Sequence, residues 1–164
     1  MILSDLWPAL EKLPFAVAVR QSGWMFPTIE SIHVLSVVLV VGVISIVDMR
    51  ILGLPSREKA VRRLMVEALP CTWAAFAVAV ATGFLMFASS AATYVHAWPF
   101  QYKMLLMALA GINMILFHLL PYRTVHLWDA LAHPPVGAKI MAGLSLSLWI
   151  GVICCGRWIG FVTN

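Results

Sequence analysis

Four long stretches without a single Asp, Glu, Lys or Arg dominate this sequence: residues 31–47, 68–102, 104–122 and 140–156. A helix needs about 20 apolar residues to cross the hydrocarbon core of a bilayer, and each stretch approaches or exceeds that length. Only 11% of the residues are charged and 62% are hydrophobic, whereas soluble domains have about 25% charged residues. We therefore predict an integral membrane domain and exclude a water-soluble enzyme, a disordered tail and a nucleic-acid-binding domain.

The second charge-free stretch is too long for one span and is predicted to break near Ser89 and Ser90. The expected fold is an all-α integral membrane four-helix bundle, a single domain over residues 1–164 with helices at about 28–52, 65–89, 100–121 and 138–161. Residues 4–22 contain aromatic side chains, which favour the membrane interface, and their acidic residues and prolines do not suit a cleavable signal peptide. We predict that they form an N-terminal amphipathic segment lying in the interface.

Lys and Arg are distributed unevenly between the two sides of the predicted bundle. The first and third connections between helices hold seven of them: Arg50, Arg57, Lys59, Arg62, Arg63, Arg123 and Lys139. The opposite side holds four: Lys12, Arg20, Lys103 and Arg157. Because cytoplasmic loops carry the excess of positive charge, we expect a multi-pass protein of the bacterial inner (cytoplasmic) membrane with both termini outside.

Small residues recur at intervals of four along two predicted helices, at Gly143, Ser147, Gly151 and Cys155 and at Ala75, Ala79 and Gly83. Such spacing lets helix backbones approach closely in lipid. It predicts a compact bundle that can form homo-oligomers. The expected partners of the chain are membrane lipid and either further copies of itself or a larger redox complex.

Ionisable groups at membrane depth are costly and are functional hypotheses by default. Glu30 and His33 lie three positions apart, hence on one helix face, and Lys103 is expected near the same outer level. Arg157 approaches this level from the fourth helix. These side chains predict an outer cluster, although His33 engaged only in hydrogen-bonded packing and Lys103 reaching to the interface are alternatives.

The third predicted helix carries Lys103, Met107, Met114 and His118 on one face. His118 falls in the inner half together with Asp48, about 15 Å in depth from His33 by helical rise. The two histidines are therefore not expected to bind one metal ion or one haem together. His126 and His133 are expected to be solvated loop residues.

Two cofactors suit these residues. Haem b needs an axial ligand such as His33, cations such as Lys103 or Arg157 for its propionates, and apolar walls, for which Trp73, Phe76, Phe84, Phe87 and Trp149 are candidates. Copper is the alternative, because the thioethers of Met104, Met107 and Met114 are soft ligands. A non-catalytic accessory membrane subunit is the third hypothesis. Di-iron and zinc-hydrolase sites are excluded, because the required glutamates and paired histidines are missing.

The stretches Ile29–Val38 and Phe100–Met107, with Phe117-His118, resemble the helix motifs of the HemJ family of membrane protoporphyrinogen oxidases. CopD-type copper-resistance membrane domains look similar over the same two helices. The whole chain resembles small four-helix bacterial membrane proteins through Asp48–Gly53 and Gly156–Gly160. The resemblance implies haem b binding, with His33 as the ligand and Lys103 as the functional lysine.

The expected function is that of a haem b-binding inner-membrane redox protein that transfers electrons or protons, with a HemJ-like oxidoreductase as one form of it. Its cofactor-binding residues would be His33, Glu30, Lys103, His118 and Arg157. Of these, His33 and His118 are the candidate metal ligands, with His118 serving a second, inner site or supporting the bundle.

Overall fold

A computed structural model describes residues 2–54, 61–129 and 134–162, with side chains from residue 6 onward. Within these ranges the chain forms helices and no strand. The helices are α1 (Ile2–Glu11), α2 (Pro14–Gln21), α3 (Met25–Leu52), α4 (Val61–Ser89), α5 (Ala91–His96), α6 (Trp98–Leu119), α7 (Val125–Trp128) and α8 (Val136–Val162), with a 3-10 turn at Pro121–Thr124 before α7.

Four helical segments of the described chain are long and apolar enough to cross a membrane: Met25–Leu52, Val61–Ser89, Trp98–Trp128 and Val136–Val162. Large apolar side chains such as Leu35, Leu105 and Ile150 are exposed on their outer surfaces. A helix that is apolar all round is stable only where its outer face meets lipid or more protein. The all-α membrane bundle expected from the sequence is confirmed.

The helix ends follow local signals. At the end of α3, Gly53 adopts a φ of 86°, and its N–H and that of Leu54 donate to the carbonyls of Arg50 and Met49. Such a left-handed cap is open to glycine at no steric cost. The expected break after Ser89 is where α4 ends. No helix was expected between residues 89 and 100, but this segment contains the short helix α5, and α6 then begins with Pro99 in its first turn.

The long helices pack as two pairs. α3 lies along α4 and α6 lies along α8, and the pairs are joined where α3 contacts α8. On α8, a Cβ added at Gly151 would come 3.0 Å from Leu106 Cδ1, so this small residue lets α6 approach. α4 and α6 barely touch. The bundle therefore has one open side, between α4 and α6.

The N-terminal segment is helical and packs on the end of the second span. Trp7 contacts Phe87 edge-on with ring centroids 5.8 Å apart, and Phe15 lies 6.4 Å from Phe84. α1 and α2 are therefore held against α4 and α5, at the end of the bundle where α3 begins.

Candidate functional site

His33 projects from α3 against α4, where its ring is fixed by two hydrogen-bonding groups. Nδ1 lies 2.9 Å from the carbonyl oxygen of Ala79 and 3.1 Å from Thr82 Oγ1. A carbonyl oxygen only accepts, so Nδ1 carries the hydrogen and donates it. In the neutral imidazole, Nε2 is then left with its lone pair available to a ligand.

The His33 ring can occupy this position because Gly83 on α4 has no side chain. A Cβ added at Gly83 would lie 3.0 Å from His33 Cε1 and 3.4 Å from its Nδ1. The sequence predicted helix packing from the series that contains Ala79 and Gly83, and these two residues also form the slot that accepts the imidazole. Sequence reasoning missed this role of Gly83 and of Thr82. The sequence did contain a signal for the role of Gly83, because the small residues of α4 recur at the depth of His33.

Lys103 reaches the same region from α6. The side chain is half-buried, and its Nζ lies 3.6 Å from the position of a Cβ added at Gly156 on α8. It donates no hydrogen bond to any residue in the described ranges. Its ammonium and the exposed carboxylate of Glu30 both act electrostatically on His33. The structure thus brings the predicted set Glu30, His33 and Lys103 to one end of the bundle.

Tyr94 on α5 is a further member of this region that the sequence did not single out. Its ring lies 6.4 Å from Phe87 and 6.0 Å from Phe100. Burial and the nearby carboxylate of Glu30 raise the pKa of the Tyr94 phenol above its ordinary value. Tyr94 therefore stays neutral at physiological pH and keeps its hydroxyl hydrogen.

Arg157 on α8 follows Gly156, the residue near Lys103, but its side chain is exposed. Its guanidinium sits 5.8 Å from the centroid of the Phe161 ring, in a cation–π contact. Of the two predicted cations, Lys103 faces the interior and Arg157 the surface.

His118 belongs to the other half of the bundle. It lines a cavity of about 210 Å³ whose walls are formed by residues of all four long helices. Met107 and Met114 from the predicted stripe line it too, and Met65 and Met141 add thioethers from α4 and α8. His33 is not among the residues that line this cavity.

The aromatic residues expected to wall one haem slot divide between two places. Trp73, Phe76 and Trp149 line the cavity near His118, whereas Phe84 and Phe87 pack against the N-terminal helices. Helix periodicity could not distinguish these positions, because the helices are apolar on every face.

The remaining candidates stand apart from both sites. Met104, one of the proposed soft ligands, is 49% exposed on the outer surface. His126 is exposed on α7. His133, Arg57 and Lys59 lie outside the described residues. Within those residues, no three His, Cys, Asp or Glu side chains gather into a group that could hold a metal ion by themselves.

A family model matches residues 16–162, from α2 to the end of α8. The chain belongs to DUF6644, a family of unknown function. The DUF6644 match includes His33, Lys103, His118 and every residue that lines the cavity. No curated protein and no solved structure is significantly similar to the chain.

Proposed function

We propose that the protein binds haem b through His33 and acts as a redox protein of the bacterial inner membrane, with both termini outside. The observation that carries this proposal is the hydrogen bond from His33 Nδ1 to the Ala79 carbonyl. Histidines that bind metals almost always donate their other ring hydrogen to a carbonyl or a carboxylate, which fixes the tautomer and the ring orientation. His33 has this arrangement before any ligand is added.

The cationic residue near His33 suits the propionates of haem b. Lys103 offers an ammonium without a hydrogen-bond acceptor among the described residues, which suits a haem propionate. Haem b, when bound, would supply one-electron transfer. Thr82 and Ala79 would orient the imidazole, and Glu30 and Tyr94 would supply groups that exchange or hold a proton. An oxidoreductase of the HemJ type is one form that this function can take.

A visible spectrum of the purified protein, expressed with ample haem, tests the proposal. We expect a b-type signal in the reduced-minus-oxidised difference spectrum that is lost in His33→Ala. His96→Ala is the matched control, because His96 also places Nδ1 against a carbonyl, 2.7 Å from that of Ala92, but on the surface. Absence of the signal in the unmodified protein would refute haem binding. A colourless, metal-free protein that co-purifies with a larger partner would instead indicate an accessory subunit.

Copper handling is a second candidate, favoured by the thioethers of Met65, Met107, Met114 and Met141 around one cavity with His118. We expect copper to bind after loading with Cu(I) and to be lost in the double variant Met107→Leu, Met114→Leu. Met104→Leu is the control because Met104 faces outward. Equal copper contents in all three proteins would exclude this candidate.

A further inference from the structure

The cavity near His118 is open to the membrane on the side where α4 and α6 barely touch. Two of its lining residues, Trp73 on α4 and Met114 on α6, are 53% and 44% exposed on the outer surface. α3 and α8 form its back wall. A molecule dissolved in the bilayer can therefore enter sideways between α4 and α6 without crossing an aqueous surface.

Asp48 is a polar residue in the lining of this apolar cavity, and one of its carboxyl oxygens lacks a partner among the described residues. Asp48 is 8% exposed and lines the cavity. It has a side-chain hydrogen bond with Ser145, but its Oδ2 forms no hydrogen bond with any residue that the structure describes. A buried polar atom without a partner is unfavourable, because it has given up its hydrogen bonds to water. Oδ2 itself is covered, so a ligand in the cavity reaches it after a rotation of the Asp48 carboxyl group, and a hydrogen bond formed there would satisfy the atom.

His118 offers a second hydrogen-bonding atom to the same cavity. Its Nδ1 lies 2.8 Å from the carbonyl oxygen of Met114 and must donate to it. Nε2 of the neutral ring then carries a lone pair, and it accepts no hydrogen bond from any residue in the described part of the chain. Asp48 and His118 approach the cavity from α3 and α6, on two of its walls.

We propose that this cavity is a binding site for a neutral aromatic ring that carries hydroxyl groups, the phenol and hydroquinone class. A hydroxyl donates to a carboxylate or accepts from a neutral carboxyl, so it pairs with Asp48 in either protonation state. A second hydroxyl donates to His118 Nε2. The rings of Trp73, Phe76 and Trp149 provide stacking surfaces for the ligand.

The size of the cavity matches a single substituted ring. A dry cavity of about 150 Å³ in another protein binds benzene, and this one has about 210 Å³. A lipophilic cation would satisfy Asp48 only as a carboxylate and would pay the cost of a charge at membrane depth. Cu(I) would take the thioethers and His118 but would leave Asp48 Oδ2 without a partner.

Equilibrium binding to the haem-free protein in lipid nanodiscs tests the site separately from the haem proposal. The probes are methylhydroquinone and 1,4-dimethoxybenzene, which has a similar ring but no hydroxyl hydrogen, with empty nanodiscs as the blank. We expect the hydroquinone to bind at least about tenfold more tightly than the dimethoxy compound. Asp48→Leu should weaken hydroquinone binding by about the same factor. Ser147→Ala should leave it unchanged, because that hydroxyl is exposed and donates to the Gly143 carbonyl.

Equal binding of the two probes would overturn the proposal, and this comparison needs no variant to fold. Tighter binding of an aromatic ammonium such as benzyltrimethylammonium would assign the site to cations instead. Stoichiometric Cu(I) binding that excludes the hydroquinone would assign it to the metal. Loss of haem binding in His33→Ala together with unchanged hydroquinone binding would show that the sites are separate, as proposed.

Discussion

Each of the two imidazoles inside the bundle is held by a main-chain carbonyl, but the carbonyls belong to different helices. His118 bonds to Met114 on its own helix, so its ring keeps its tautomer however the bundle moves. His33 bonds to Ala79 on the neighbouring helix, so its orientation depends on the packing of α3 against α4. A change that separates these helices would weaken the hydrogen bond that orients the His33 ring.

Gly83→Ala tests this dependence. The added methyl group would press on the edge of the His33 ring at 3.0 Å. We expect a destabilisation of about 1–3 kcal/mol, typical of overpacking, and a lower haem content at saturation. Thermal unfolding and the difference spectrum measure the two effects. Gly42→Ala is the control, since its Cβ would meet nothing within 4 Å. It should reduce neither the thermal stability nor the haem content.

Lys103→Met should weaken haem binding by about tenfold, because a charge-assisted hydrogen bond contributes about 1.5–3 kcal/mol. The position of the reduced absorption band should change little, since His33 remains the proposed ligand. Arg157→Gln should have a smaller effect, as Arg157 is exposed and contacts Phe161. A haem titration of the three proteins measures the difference. Equal losses in both variants would contradict the assignment of Lys103 to the interior site.

At the scale of elements, the N-terminal helices are joined to the spans by polar contacts at one place. A carboxylate oxygen of Glu11 accepts a hydrogen bond from the N–H of Ala92, 2.8 Å away. Arg20 lies 3.8 Å from the other oxygen and 3.4 Å from the carbonyl oxygen of Ser89. These contacts lie at the junction between α4 and α5. The first N–H groups of α5 and the last carbonyls of α4 have no partner within their own helix, and Glu11 and Arg20 supply one.

Glu11→Ala should therefore loosen α1 and α2 from the bundle. We expect a loss of about 1–2 kcal/mol of local stability from the unpaired Ala92 N–H and the freed Arg20. Tryptic cleavage after Arg20 should become several times faster, because local opening exposes the bond. Glu67→Ala is a suitable control, since the Arg63–Glu67 pair is exposed and such pairs contribute little. Unchanged cleavage in Glu11→Ala would rule out this role.

The existence and ends of the spans followed from the sequence, because the lack of charge and the helix-terminating residues are local signals. α3 and α4 end at Leu52 and Ser89, where they were expected to end. α5 was not anticipated, since its six residues have no periodic pattern to detect. The proximity of His33 and Lys103 was predicted from their depth alone. The roles of Thr82, Gly83 and Tyr94 required the rotation of each helix, which a sequence that is apolar on every face does not specify.

At the scale of the whole molecule, we propose that the side where α3 ends faces the cytoplasm, because that side has the excess of Lys and Arg. Ser22→Cys, between α2 and α3, should then react with a membrane-impermeant maleimide in spheroplasts. Gly137→Cys, at the start of α8, should react only after lysis. Both are measured against a background in which Cys71, Cys154 and Cys155 are replaced. The reverse labelling pattern would place the proposed haem site on the cytoplasmic side.

The open side between α4 and α6 makes the bilayer a structural component of this protein. Because α4 and α6 barely touch, we expect acyl chains to complete the wall and the width of the gap to follow the lateral pressure and thickness of the surrounding membrane. We therefore expect the lipid composition to control access to the cavity. A detergent micelle exerts a different lateral pressure, and the same protein should present a differently sized entrance in each environment.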